Sequence, residues 1–376
     1  MHILMLLTNG FDPDMRVHKE ASSLVKMGHK VDIWCWDRER KHKYKPECDF
    51  YGYRIRRFFT KSKYGNGLRQ FIPMIRFYID VIKNAINEKK IDLIHAHDFD
   101  TLIPGCILKI ILGTRLIFDE HDSFDIYYIK RGAYGFIIAR LIQLIQSILL
   151  RCVDTHIIVS PAQVSGNIKR SSRYGPFIVM NTPEASIFNS IEKTKREKIS
   201  IAYIGNFTNY CQEIETLCKS GSNYRNSIEI HIYGSGACLE YLIKRYKASG
   251  NVFFHGRYEY SSINQIYSNT DLAYAVYPTY ISSTALPNKF FESVLSCTPM
   301  IVNKNSLFGK IVIENGWGFG ISESSLEIDL KNIVELVLSN STILADMSKK
   351  MENKRNNYDW RKSEMLLGKI YDSWKL

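Results

Sequence analysis

Lys289 and Glu292 sit close together in the segment Ser282–Glu292, which follows an apolar run ending near Tyr277-Pro278. The spacing predicts a helix, with Ser283 or Thr284 as its cap and Pro287 in its first turn. A lysine beside the exposed N–H groups of a helix N-terminus suits a diphosphate. A carboxylate one turn further, on roughly the same face, could accept both hydroxyls of a ribose. The alternative is an ordinary surface ion pair between Lys289 and Glu292. A second anion-handling segment is Tyr233-Gly234-Ser235-Gly236, where glycines let backbone N–H groups approach a charged ligand closely. Strand-to-helix turns use glycine for purely local reasons too.

Three polar segments carry further candidates. His95-Ala96-His97-Asp98 and Asp119-Glu120-His121-Asp122 both fall where strands should end. Their residue types allow a metal site, a carboxylate pair for glycoside hydrolysis, polar recognition in a cleft, or simple capping. Thr8 to Arg16 follows the first strand and contains Asp12, Asp14 and Arg16, with Asp14 a candidate helix N-cap. It lacks the GxGxxG pattern of a nicotinamide or flavin dinucleotide site.

The elements that must position these residues alternate along the chain. Strands are expected at His2–Leu7, Val31–Trp36, Asp92–Ala96, Arg115–Asp119, His156–Ser160 and Phe177–Asn181. The series restarts with Ser200–Ile204, Ile228–Tyr233, Val252–His255, Leu272–Tyr277 and Met300–Val302. Helices are expected between them, including Arg16–Met27, Leu68–Lys89, Gly135–Cys152 and a terminal Trp360–Trp374. Repeated strand–helix units predict an α/β chain of two Rossmann-like, doubly wound parallel-sheet domains, too long at 376 residues for one ordinary core. The polar stretch Thr182–Lys198 divides them into 1–184 and 185–357, with a return helix in 358–376. Such domains bind ligands at the carboxyl ends of their strands, in a cleft where two of them face each other.

Eight scattered cysteines form no CxxC pair, so zinc ribbons and thioredoxin-like motifs are unsupported. With an N-terminus that reads directly as a strand, free thiols in the cytosol are the expectation. The uncharged run Leu141–Leu150 is too short to span a bilayer and reads as a buried helix or an interfacial one. Net charge is +12, concentrated between Arg38 and Lys63. That excess suits a solvated face or an anionic membrane surface, and no nucleic-acid motif accompanies it.

Taken in order, the segments DPDMRVHKEASSLVKMGHKV, IHAHD, FDEHD, IAYIGN, IYGSG, FFHGRY, LPNKFFESVLSCTPMIV and YDWRKSEMLLGKIY resemble family 4 of the retaining GT-B glycosyltransferases over nearly the whole chain. The resemblance implies roles. Asp12 and Arg16 would face the acceptor. His97, with Asp98 beside it, would line the cleft on the same side, and His121 would lie near the donor sugar. Gly205 and Asn206 would lie by the phosphates, Gly234 and Gly236 would shape the donor loop, and Arg257 and Tyr258 would meet the base. Glu292 would hold the ribose, with Thr284, Leu286, Pro287 and Asn288 in the donor loop and Lys289 by the diphosphate.

Two departures stand out. Thr284 occupies the place of the first of the family's two glutamates, and Asn206 and about Cys211 replace its usual Arg and Lys. Asn206, Gln212 and Lys289 instead resemble a subgroup of bacterial surface-polysaccharide transferases. That subgroup implies a UDP-linked donor and a glycan or lipid-linked acceptor, which with the basic N-terminal half suits a cytoplasmic protein peripheral to the inner face of the membrane. No metal or other cofactor is expected, because Lys289 and a helix N-terminus can neutralise the diphosphate and no DxD-type pair stands in a suitable donor loop. A sugar-nucleotide 2-epimerase, an inactive nucleotide-sugar-binding subunit and a membrane-surface interaction protein are the rivals.

Overall fold

The computed structural model describes the chain except for residues 13, 64–66, 89, 122–127, 129–131, 165–173, 189–192, 195, 208–210, 284 and 375–376. Asp122 and Thr284 therefore lie outside the described residues. The chain forms two compact units, Met1–Met180 with Glu364–Leu376, and Asn181–Ser363.

The first unit is built on β1 (His2–Leu7), α1 (Met15–Lys26), β2 (Lys30–Trp36), β3 (Glu47–Phe50), β4 (Tyr53–Phe58), α2 (Phe71–Ile86) and β5 (Leu93–His97). It continues with α3 (Phe99–Leu112), β6 (Arg115–Glu120), α4 (Gly132–Leu149), β7 (Thr155–Ile158) and β8 (Tyr174–Ile178). Its sheet has the order β3-β4-β2-β1-β5-β6-β7-β8. All neighbours are parallel except β3 and β4. β1 is buried along its whole length, as a central parallel strand covered on both faces must be. Leu4, Leu6, Trp34, Trp36, Phe77 and Phe118 belong to one buried cluster beneath α2 and α3.

β3 and β4 are an addition to the expected strands, and they make the sheet mixed. They occupy the basic segment, where β4 alternates buried and half-buried residues and Arg57 takes an inward position. Arginines on a short edge strand hide the apolar alternation that a sequence reading relies on. The local charge is also largely matched. Arg54 pairs with Asp32 and Glu88, Arg56 with Glu47, and Arg57 donates to the carbonyls of Gly10, Phe11 and Lys45.

The second unit comprises β9 (Ile199–Ile204), α5 (Cys211–Ser222), β10 (Ile228–Tyr233), α6 (Leu239–Tyr246), β11 (Val252–Gly256), α7 (Ile263–Ser268) and β12 (Leu272–Ala275). There follow α8 (Thr279–Ser282), α9 (Asn288–Leu295), β13 (Met300–Asn303), α10 (Leu307–Asn315), β14 (Gly318–Ile321), α11 (Leu326–Ser339) and α12 (Ile343–Glu352). The parallel sheet runs β11-β10-β9-β12-β13-β14. β14 was not anticipated; two glycines in its GFGI sequence give it no strand signature.

The last helix, α13 (Trp360–Asp372), begins in the second unit, where the Trp360 amide donates to the Pro183 carbonyl at 3.0 Å. From Glu364 it belongs to the first unit, and there Tyr371 reaches His95 of β5.

In each sheet the chain reverses direction of travel once, between β1 and β5 and between β9 and β12. The loops leaving adjacent strands at such a point diverge to opposite faces and leave a crevice at the carboxyl ends. The candidate residues come from these loops.

Candidate functional site

In the first unit, the loop after β1 is anchored from several sides. Asp14 is the N-cap of α1, accepting from the Arg16 and Val17 amides at 3.2 and 3.4 Å. The Asn9 amide donates to Asp14, and its carbonyl accepts from the Phe11 amide. Asp12 faces His42, with 2.6 Å between Oδ1 and Nε2. Together with Gly10, Asp37, Arg38 and Lys41 these residues line a cavity of about 240 Å³.

Arg16 does not face that space. It is 3 % exposed and turns inward to grip both oxygens of Asp119, Nε to Oδ2 at 2.8 Å and Nη2 to Oδ1 at 2.6 Å. Its remaining Nη1 donates to the Val179 carbonyl. The acceptor-facing role expected for Arg16 is therefore corrected: its donors are committed inside the domain. His97 is likewise buried, its Nδ1 lying 3.1 Å from His121 Nε2 and 3.3 Å from Asp119.

His121 occupies the open end of this network. Its Nε2 lies 3.0 Å from Asp119 Oδ2 and its Nδ1 3.4 Å from Asp98 Oδ2. Burial opposes charge on the ring, but Asp98 and Asp119 outweigh it and push the imidazole up to about 10. Beneath it, burial holds His95 and His97 below the ordinary histidine value, so they are neutral. Burial also pushes Glu20 up to about 8. His121 is thus a hydrogen-bond-donating imidazolium at neutral pH, not a free base. Asp98 holds it by a backbone bond too, accepting from the His121 amide at 3.0 Å. Asp98 itself is held at φ 65°, which is costly for a non-glycine residue and needs surrounding structure to sustain it.

Glu20, His95, His97 and Asp119 bring ligand-type atoms within 4.8 Å of one another. Arg16 already neutralises Asp119 with two hydrogen bonds and stands 3.1 Å from Glu20. A fixed guanidinium among the four supplies the positive charge that a cation would bring, so the group reads as a buried ion network. It does not fit the carboxylate pair of a glycoside hydrolase either, because Asp119 is saturated.

In the second unit, the loops after β9, β10 and β12 converge. The Gly205 amide donates to the Tyr233 carbonyl, the Phe207 amide to Ser235, and the Gly234 amide to Gly256. Gly205 and Gly234 adopt φ of 134° and 124°. A Cβ on Gly234 would stand 2.0 Å from the Gly205 carbonyl oxygen, and one on Gly236 2.2 Å from that of Phe207. A Cβ on Gly205 would meet Lys289 Nζ at 2.6 Å. The two glycine loops and Lys289 therefore form one close-packed cradle.

Lys289 stands in the first turn of α9, its ammonium 2.5 Å from the Tyr277 hydroxyl and 3.4 Å from that of Tyr203. It also lies 4.6 and 4.9 Å from the centres of those two rings. Burial lowers it to about 8, against the attraction of Glu292. Glu292 is 4 % exposed and accepts from Tyr267 at 3.2 Å. Its charge helps to raise the phenols of Tyr258, Tyr260 and Tyr267, after burial. The surface ion-pair alternative is thereby excluded, since neither side chain is displayed on a solvated helix face. The expected cap is also corrected: α8 ends at Ser282, Pro287 is the N-cap residue, and α9 starts at Asn288. Asn288 accepts from Asn181, Ser235 links Asn206 to Arg257, and Leu286 is half-buried.

The model of Glycosyltransferase Family 4 matches residues 15–165, and that of Glycosyl transferases group 1 matches residues 186–356. The chain belongs to glycosyltransferase family 4. This glycosyltransferase has the GT-B fold. Sucrose-phosphate synthase from Thermosynechococcus elongatus superposes with a TM-score of 0.80 at 15 % identity, covering 99 % of each chain. HepE from Anabaena, solved with UDP-glucose, gives 0.71 at 16 % identity over 99 % of this chain and 100 % of that one. The lipopolysaccharide outer core galactosyltransferase WaaB gives 0.59 at 13 % over 99 % and 100 %. No curated protein sequence matches the chain.

Several site residues of this glycosyltransferase escaped the sequence reading. Tyr203, Tyr267 and Tyr277 end or follow strands and helices whose own pattern explains them as core. Only their convergence on Lys289 and Glu292 shows a further role. Tyr371, which meets His95 from the last helix, also escaped that reading. The expectation of free thiols is corrected as well. Cys211 and Cys238 form a disulfide, Cα to Cα 5.9 Å, because consecutive crossovers bring the starts of α5 and α6 together beside the glycine loops.

Proposed function

We propose that this glycosyltransferase moves a sugar, with retention, from a UDP-linked donor to a hydroxyl of a glycan or lipid-linked acceptor in cell-surface polysaccharide synthesis. The observation that carries the donor assignment is the packing of Gly205 against Lys289 at the start of α9, with Gly234 packed in turn on Gly205, one turn before buried Glu292. The glycines let the loops approach the start of α9 closely, their own amides being bonded within the cradle, and the N-terminus of α9 adds partial positive charge toward a diphosphate. Lys289 supplies the full charge that would stabilise the departing nucleoside diphosphate. Glu292 would accept from the ribose hydroxyls, with Arg257 and Tyr258 at the base. HepE, which shares the fold, is known with UDP and UDP-glucose, and WaaB is a galactosyltransferase of the lipopolysaccharide outer core; both support the donor and pathway readings.

His121 enters as a charged donor, held by Asp98 and Asp119, that stabilises negative charge on the substrate. Asp12 and the cavity beside it are the proposed acceptor side. Protein cations are proposed to replace a metal.

The test is a thermal-shift screen of UDP-, GDP- and ADP-sugars followed by turnover with the best hit. Stabilisation by a UDP-sugar, with transfer to an acceptor and no dependence on added metal, is the expected result. Preference for another base overturns the UDP assignment. Donor binding without transfer to any acceptor, in wild type and Lys289→Ala alike, favours a binding subunit instead.

A further inference from the structure

Three neighbouring helices of the first unit, α2, α3 and α4, cover one face of its sheet. A helix that covers a sheet in water needs one apolar stripe. Each of these has two. On α4, Ala139, Ile142 and Leu150 just beyond its end face inward, while Ile137, Leu141, Leu144 and Ile148 form a second stripe at spacings of one and two turns and are exposed. On α2 the inward residues are Phe77, Val81 and Ala85, and Ile72, Ile75 and Ile79 are exposed. On α3, Ile107, Ile110 and Ile111 are exposed in the same way. An apolar surface spread across three adjacent helices exceeds the scattered exposure normal for a protein in water and calls for an occupant.

Charge identifies that occupant. The three helices carry Arg76, Lys83, Lys109 and Arg140 against Asp80 and Asp100, and α4 has no acidic residue. Asp100 is half-buried and bonded to Thr8, so Asp80 is the exposed carboxylate of the face among the described residues. Arg69 and Arg151 flank it. Among the described residues, Arg69, Arg76, Lys83, Arg140 and Arg151 form no ion pair. The basic segment Arg38–Lys63, which composition singled out, is instead partly consumed by internal pairing. A second copy docking the same face by two-fold symmetry would set these cations against one another. An anionic bilayer would meet both the apolar stripes and the cations.

We propose that α2, α3 and α4 form a membrane-docking face that lies flat on an anionic lipid surface, with the exposed isoleucines and leucines entering the headgroup boundary. The stretch Tyr134–Cys152 is long and apolar enough to cross a membrane, and it is 22 % buried. It is nevertheless tied into the layer: Gln146 donates to Glu120, and Cys106 donates to the Leu149 carbonyl. Docking in the plane keeps these bonds, whereas crossing breaks them. The helices follow β4, β5 and β6, so their N-termini, with Ile72 on α2 and Phe136 and Ile137 on α4, lie at the sheet edge that carries Asn9, Asp98 and His121. A lipid-linked acceptor held in the bilayer would be presented at that edge. The docking does not depend on the donor assignment and is measured without a nucleotide.

The test is co-sedimentation of the full chain with phosphatidylcholine vesicles and with vesicles containing phosphatidylglycerol. The wild type is expected to bind the anionic vesicles and to lose binding as salt rises. Arg76→Glu/Lys83→Glu/Arg140→Glu is expected to bind them roughly a hundredfold more weakly, at about one lost lipid contact per residue. Ile137→Ser/Leu141→Ser should lose binding at physiological salt while keeping the wild-type melting temperature. Equal binding to both vesicle types, or no binding by the wild type, overturns the proposal whatever the variants do. A wild-type dimer in analytical ultracentrifugation that Ile137→Ser/Leu141→Ser converts to a monomer also overturns it, in favour of a second copy.

Discussion

Arg16 of α1 and Asp119 of β6 are 103 residues apart in sequence and meet through two hydrogen bonds of 2.6 and 2.8 Å, both side chains buried. Asp119 also receives His121 and lies beside His97, so this pair fixes the ring that the site presents to solvent. Asp119→Asn keeps the shape and removes the negative charge. Breaking one partner of a buried pair leaves the other uncompensated, at a cost of about 3–5 kcal/mol. A clear fall in the melting temperature of the full chain is expected. An unchanged temperature would mean that Arg16 is solvated in a way its burial does not allow.

His121 gives the first unit a pH signature. Its folded value is raised to about 10 by Asp98 and Asp119 against burial, while an unfolded histidine titrates near ~6.5. The stability it contributes is complete below the unfolded value and is lost as pH rises through the folded one. His121→Asn should flatten the decline of the urea midpoint between those limits. A variant whose midpoint still falls as steeply as wild type would remove His121 as the source.

Lys289, lowered to about 8 by burial, should make donor affinity depend on pH. The charged form binds a diphosphate, so Kd for the UDP-sugar is expected to rise as pH passes about 8. Bound diphosphate will itself raise the lysine and move the midpoint upward in the complex. Lys289→Met should bind weakly at every pH and show no such rise. Calorimetric titration of both proteins across alkaline pH measures this.

The role proposed for Glu292 is checked with a double change. Glu292→Gln and a 2′-deoxyribose donor should each weaken binding by about tenfold to a hundredfold, as loss of a charge-assisted hydrogen bond does. Together they should cost little more than either alone, since both remove one contact. Fully additive losses would place the ribose elsewhere.

The disulfide between Cys211 and Cys238 closes a loop of sequence separation 27. Cys211→Ser, or a strong reductant, should lower the stability of the second unit by about 3 kcal/mol on loop entropy. Differential scanning calorimetry with and without reductant reports it. Wild type and variant that melt together under oxidising conditions would mean that the bond does not persist in solution.

Much of the architecture was legible because a strand buried on both faces is a short apolar run and a half-buried one alternates. His2–Leu7 is of the first kind and Ile228–Tyr233 of the second, and both match the observed strands to the residue. β4 and β14 were not, because arginine in the one and glycine in the other suppress that signal. Asp14 as a helix cap was readable from its local context, since capping involves neighbours in sequence. The disposition of Arg16 was not, because its partner arrives from a strand on the far side of the switch point.

The sequence by itself determined the alternation, the order of the motifs and hence the family and fold, since these depend on periodicity and spacing along one chain. It also supplied Lys289, Glu292 and the glycines as residue types able to hold a nucleoside diphosphate. Tertiary structure decided which side chains are free to act. It buried Arg16 and His97, charged His121 between two carboxylates, enclosed Lys289 between tyrosines and joined two distant cysteines. It also left the apolar stripes of α2, α3 and α4 outward. Each of these outcomes is set by burial and by distances between residues remote in sequence, and neither is encoded in local pattern.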